Sequence, residues 1–275
     1  MILKSKSQRH ATKLMKTSKL FLAAVIVMAA NTAQGATIAN WKELNTASTN
    51  SGMTTDSPTI GDGTADNADD AWVAGRFGTV ATPASVTLAI GETLTVSGSI
   101  TLTGGLNISS NLRFGVFDES GQFASGGTTW ANGGWLLRQG TSVGDGWYQA
   151  RTNGAFVSSN SNAVQLSTTT TNTGGAIDGD SAIAYDWSIS ITRDSATTVD
   201  LFGSIAGGDT ALDQTYTSNN ITTSLFTYNA LGVLLGASLD LDQASLSNVQ
   251  YDVIPEPTSA ALLALSGLAL LRRRR

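Results

Sequence analysis

The chain contains no cysteine. Disulfides are therefore excluded, and packing, hydrogen bonds or a bound cation must hold the fold. Histidine is nearly absent: the single one, His10, lies close to the N-terminus. From residue 36 onward the chain cannot build a Ser-His-Asp or Cys-His site, nor a zinc centre ligated by His or Cys. Glutamate is scarce too, with Glu43, Glu92 and Glu119 the only ones before Glu256. A glycosidase needs two carboxyls, about 5–5.5 Å apart for retention or ~6.5–9.5 Å for inversion. None of these glutamates has an acidic partner at i+2 or i+4 on an alternating stretch. Asp118 and Glu119 are adjacent, so on a strand they would face opposite ways. Ser120-Gly121 after them reads as a solvated turn. The residues point to a protein that is not an enzyme. The alternative, a polysaccharide-active enzyme of the jelly-roll glucanase type, would need two carboxylates converging in one groove.

No run reads as a long amphipathic helix, and the apolar runs that exist lie at the two ends. At the start, Lys4, Lys6, Arg9, Lys13, Lys16 and Lys19 precede the apolar stretch Leu20 to Ala30. Small residues follow, from Asn31 to Ala36. This order predicts a secretory signal peptide over 1–35, removed by signal peptidase after Gly35. At the other end, Val253-Ile254-Pro255-Glu256-Pro257-Thr258 leads into Ser259 to Leu271 and then Arg272-Arg273-Arg274-Arg275. Two prolines fix φ and remove two backbone donors, so no strand or helix runs through them. Thirteen apolar, helix-favouring residues at ~1.5 Å each span roughly 20 Å, short of a ~30 Å hydrocarbon core.

Pro255, Glu256 and Pro257, the apolar run and Arg272, Arg273, Arg274 and Arg275 together resemble the PEP-CTERM sorting signal. Exosortase-type membrane enzymes of Gram-negative bacteria recognise and cleave that signal. The resemblance covers about 253–275. It implies export by a Gram-negative bacterium and transient inner-membrane anchoring by the short transmembrane helix within the sorting signal at 255–275. Cleavage by an exosortase and residence at the cell surface or in the extracellular matrix follow from it.

Removing both ends changes the charge balance. Of 16 basic residues, six leave with the leader and four with the tail, which leaves 16 − 10 = 6. Of 21 acidic residues only Glu256 leaves, so 20 remain, a net charge near −14. Lys42 is the only lysine of that body. Such a body is repelled by phosphate backbones, which excludes nucleic acid as a partner. Its length fits one domain with a real core.

The body is rich in Gly, Ser, Thr, Asn and Asp, and its clearest order is alternation with period two, the mark of half-buried strands. Leu94, Val96, Gly98, Ile100 and Leu102 face one way, with Thr93, Thr95, Ser97, Ser99 and Thr101 facing the other. Ile183, Tyr185, Trp187, Ile189 and Ile191 alternate with Ala184, Asp186, Ser188 and Ser190. A turn at Arg193 to Ala196 and a return at Val199-Asp200-Leu201 predict a hairpin. Further strands are expected at Leu112–Phe117, Trp135–Arg138, Trp147–Thr152, Leu225–Tyr228 and Val249–Val253. Residues 36–78 read as an irregular segment supplying one edge strand, and Thr168 to Gly175 as a low-complexity loop. The expected fold is all-β, an antiparallel β-sandwich of jelly-roll type over 79–254. A β-helix solenoid is the other candidate, though no fixed-period repeat supports it. Gly91 to Leu94, Asn111 to Asp118 and the closing strand also resemble, by pattern, a concanavalin-like or carbohydrate-binding-module-like jelly roll. That implies glycan association.

Two sets of side chains are candidate ligand contacts. Trp130, Trp135, Trp147 and Tyr148 fall within nineteen residues rich in Gly and Asn. Exposed aromatics stack on the apolar C–H faces of sugar rings, while nearby amides take the hydroxyls. Tryptophan is equally an ordinary core residue, and Trp187 on its clean face reads as one. Trp147 and Tyr148, as strand neighbours, must point to opposite faces. Asp62, Asp66, Asp69 and Asp70, with Asp178 and Asp180, are candidate calcium ligands, because hard cations want several oxygens on flexible loops. Neither cluster has EF-hand spacing, and plain solvated acidic loops read equally from the same residues.

Overall fold

In β6 (Thr93–Thr103), Leu94, Val96, Ile100 and Leu102 are buried while the hydroxyl residues between them are half-exposed. In β14 (Ile183–Arg193) the five residues Ile183 to Ile191 at alternate positions are likewise buried. Alternation of this kind commits one face of each strand to a core and the other to water. The protein is all-β among the described residues, and its sheets are antiparallel. The computed structural model describes residues 35–38, 40–43, 58–60, 72–79, 82–104, 112–119, 129–130, 133–139, 146–151, 154–155, 163–175, 177, 182–235 and 241–255. The expected signal peptide, C-terminal helix and sorting motif from Glu256 onward lie outside them. No helix of the described residues is long and apolar enough to cross a membrane.

Two sheets stack on one core. The eight-stranded sheet runs β1 (Ala36–Thr37), β19 (Gln243–Ile254), β6, β14, β15 (Thr198–Gly207), β16 (Leu212–Thr222) and β13 (Thr169–Thr173), with β3 (Thr59–Ile60) also on β19. The seven-stranded sheet runs β12 (Ala163–Gln165), β10 (Gly146–Arg151), β9 (Gly134–Gln139), β7 (Leu112–Phe117), β18 (Ala230–Leu235), β4 (Trp72–Arg76) and β2 (Asn40–Glu43). Two small ribbons complete the fold: β5 (Val86–Thr87) with β17 (Thr227–Tyr228), and β8 (Thr129–Trp130) with β11 (Gly154–Ala155). The core between the sheets includes Leu94, Val96, Ile100, Trp187, Ile189 and Ile191 from one side. Phe114, Val116, Leu137, Tyr148, Leu231 and Val233 come from the other.

The expected hairpin is present: β14 pairs with β15, and Asp194 and Ser195 donate their backbone N–H groups to the Thr198 carbonyl to close the turn. Elsewhere the chain departs from the reading above. The described residues of 36–78 supply four strands instead of one, because Ile38, Trp41, Ile60, Val73 and Phe77 are all buried in the shared core. The threonine run is no loop: it forms β13, an edge strand whose residues pair with those of β16. Threonine is β-branched and suits a pleated surface, and Thr171 Oγ1 meets Thr215 Oγ1 at 2.5 Å across the pair. The closing strand is longer than expected and carries a bulge between Ser247 and Gln250. There Asn248 takes φ of 53°, a left-handed conformation that asparagine tolerates. The bulge switches the phase, so that Leu246 and Val249 both reach the core.

Candidate functional site

Pairing register sets what each sheet shows to the outside, because directly opposed residues share a face. On the outer face of the seven-stranded sheet the register makes three rows. The first is Trp147, Arg138, Arg113, Leu234 and Trp72. The second is Gln149, Leu136, Gly115, Gly232, Ala74 and Lys42. The third is Arg151, Gly134, Phe117, Ala230, Arg76 and Asn40. Between residues 36 and 254 the chain has six basic residues. Five of them, Lys42, Arg76, Arg113, Arg138 and Arg151, stand in these rows.

The remaining one, Arg193, serves the frame: its guanidinium lies 3.8 Å from the Phe226 ring centroid and donates to the Leu88 carbonyl at 2.7 Å. The outer face of the eight-stranded sheet has the opposite character. Its outward positions carry serine and threonine with Asp186, Asp200, Asp213 and Asp252, and no Lys or Arg among the described residues. Cross-strand hydroxyl pairs cover it, such as Thr93 with Thr192 at 2.8 Å and Thr95 with Ser190 at 2.9 Å. The described Arg76, Arg113 and Arg138 thus lie on the side away from these carboxylates.

At the centre of the basic face the sheet is apolar. Gly115 and Gly134 leave room for the Phe117 ring, which a Cβ at either position would strike. Phe117, Leu136, Leu234, Ala230 and Ala74 are buried here without belonging to the core between the sheets. Arg113 is buried at 8% exposure, while Arg138 and Arg76 are half-buried. Arg113 and Arg138 are directly opposed across β7 and β9, and like charges so placed repel. Partial burial also holds the Arg138 guanidinium below the usual arginine value. At the rim, Arg76 forms an ion pair with Glu119, its Nε donating to Oε1 at 3.0 Å. Glu119 is the one carboxylate that the described residues bring to this side.

The aromatic candidates separate. Trp135 and Tyr148 point into the core and cannot stack on a sugar: Trp135 is 3% exposed and donates from Nε1 to the Tyr228 hydroxyl at 2.8 Å, and Tyr148 is fully buried. Trp147 of β10 pairs with Arg138 of β9 in the register. Trp130 lies in the small β8–β11 ribbon, paired with Gly154, away from both sheets' rows. Asp62, Asp66, Asp69, Asp70, Asp178 and Asp180 lie outside the described residues. Among those described, no group of three or more His, Cys, Asp or Glu could hold a metal ion. The arginines are what the sequence reading passed over. Each stands alone in its strand, as in Leu112-Arg113-Phe114, and only the register brings them together.

No protein-family model matches the chain, and no curated protein matches it. Solved structures are similar in architecture. A seed lectin of Lotus tetragonolobus is 9% identical, with 72% of this chain and 93% of the lectin covered at a TM-score of 0.41. Lectin I-B4 of Griffonia simplicifolia is 11% identical, with 78% and 99% covered at 0.41. A PL-14 alginate lyase from Aplysia kurodai is 11% identical, with 72% and 82% covered at 0.41. At this distance the likeness carries no argument about function.

Proposed function

We propose that this protein is an exported, non-catalytic cell-surface or matrix protein, a jelly roll that binds polysaccharide. The observation that supports the reading is that Arg76 and Arg138, both half-buried, take outward positions on the seven-stranded sheet of an antiparallel sandwich. Guanidinium groups donate to sugar oxygens in fixed forks, and tryptophan faces accept sugar C–H groups. The end signals supply the route: signal peptidase and an exosortase release the body outside the inner membrane.

Catalysis is disfavoured by what the face lacks. Hydrolysis needs two carboxyls, and the described face offers Glu119 alone, held by Arg76. Removal of a proton beside a sugar carboxylate needs a positioned base, most often His, or else a group such as Tyr. All five tyrosines lie elsewhere: Tyr148, Tyr185, Tyr216 and Tyr228 are in the core, and Tyr251 stacks on Phe77 at 4.3 Å. The test is retention of the purified protein on a panel of immobilised polysaccharides, with products assayed in parallel. Retention without cleavage supports the reading; sugar release, or retention on none, defeats it.

A further inference from the structure

We propose that the free edge of β13 pairs with the same edge of a second copy of this chain, joining two eight-stranded sheets into one. Each residue of β13 pairs with β16 on one side and the sheet ends there, so the strand's other row of backbone N–H and C=O groups has no partner strand. Such a row is a template for pairing, and sheet edges are commonly blunted by charge, proline or shortness. The other edges among the described residues follow that rule: β1 and β3 have two residues each, β12 has three, and β2 includes Lys42 and Glu43. β13 does not. Residues 163–175 contain no Lys, Arg, Asp, Glu or Pro, and Thr169, Thr171 and Thr173 are exposed.

The strand's own sequence points to the occupant. In a two-fold antiparallel pair centred on Thr171, that residue meets its own counterpart, Thr169 meets Thr173, and Thr170 meets Asn172. The three exposed threonines then repeat the hydroxyl pairing that Thr171 already makes with Thr215 at 2.5 Å. On the inner side, Asn172 Nδ2 and Oδ1 are buried with no hydrogen-bond partner, a costly state for an amide. Thr170 donates its hydroxyl to the Gly146 carbonyl at 3.3 Å, which leaves its oxygen lone pairs to accept from the copy's Asn172. Charge agrees with this contact. A body with 20 acidic and six basic residues repels its own copy over most of its surface, and a charge-free edge lets two copies meet. An extended segment of another protein would gain the backbone bonds without this reciprocal set of side chains.

The test is sedimentation of the purified protein from about 5 to about 500 µM, where a small interface of this kind should give a dimer with Kd of about 10–100 µM. The chain has no cysteine, so a single introduced thiol reports the register. Thr171→Cys should oxidise to a covalent dimer, because directly opposed Cα atoms lie ~4.5–5.5 Å apart, within disulfide reach. Thr169→Cys should not, since its counterpart stands about four residues along the strand, roughly 14 Å away. Thr171→Lys sets like charges face to face and should weaken the dimer at least about tenfold, as should Thr171→Glu, while mixing the two should restore it. Melting curves check that each variant is folded, and the wild-type measurement stands without them. A monomer throughout the range, Thr169→Cys linking as fast as Thr171→Cys, or folded Thr171→Lys associating like the wild type would each overturn the proposal. None of these outcomes bears on glycan binding.

Discussion

Phe114 of the seven-stranded sheet and Trp187 of the eight-stranded sheet stack ring on ring, with centroids 4.5 Å apart and planes at 22°. The contact bridges the two layers at mid-strand, and Trp187 keeps only 3% of its surface in water. Replacing Trp187 by alanine removes the ring and leaves a cavity, at a cost of about 3–5 kcal/mol. That is a large share of a typical ~5–15 kcal/mol stability. Trp187→Phe should cost less, since the indole Nε1 has no hydrogen-bond partner here. Denaturant melts of the two variants check the ordering, and acrylamide should barely quench Trp187.

The Arg76–Glu119 pair ties β4 to the end of β7 on the basic face. Glu119 is buried to 4% side-chain exposure, while Arg76 retains 23%. Removing one partner of a buried pair costs about 3–5 kcal/mol. Because Arg76 is partly solvated, we expect Arg76→Ala to fall near or below the lower end of that range. The double variant Arg76→Met with Glu119→Leu should be more stable than Arg76→Ala alone, which leaves the carboxylate buried. A double-mutant cycle from chemical denaturation reads both.

Tyrosine ionisation sets the alkaline limit. Burial pushes the Tyr148 phenol well up, with Tyr216 beside it adding to the effect. Burial also raises Tyr228 strongly, against smaller opposing effects from the Trp135 hydrogen bond and from Arg193, and it raises Tyr251. A folded-state value above the unfolded one means stability that is complete below pH ~10 and lost as pH rises beyond it. Phenolate absorbance should therefore appear together with unfolding above pH ~10, and not before it. Free ionisation of Tyr148 and Tyr228 near pH 10 in a folded protein would contradict the burial.

The end signals predict processing. Protein recovered from the medium or surface of the producing cell should lack residues 1–35 and the Arg272 to Arg275 tail, a difference that intact-mass measurement resolves. Changing Pro255-Glu256-Pro257 to alanines should hold the protein at the inner membrane. Released protein that retains Arg275 would show that the tail is not read.

Alternation alone determined much of this protein. Wherever a strand has one wet face, as in β6, β14 and the hairpin return into β15, burying Asp186 or Ser188 unpaired costs more than packing returns, so Trp187 had one way to point. The lack of Cys likewise excluded disulfides and thiolate sites. Other elements were not legible. Ala230 to Leu235 is apolar throughout and fully buried on both faces of β18, so its sequence has no phase to read. Residues 36–78 lack local pattern because their buried side chains come one or two at a time. Only the tertiary structure decided that Trp135 and Tyr148 turn inward while Trp147 shares a row with Arg138. The candidate site depends on it still more, since Arg76, Arg113 and Arg138 are successively 37 and 25 residues apart along the chain. They meet because a strand's register is chosen by what its opposite face buries, and the cations are carried to one side by the core beneath them.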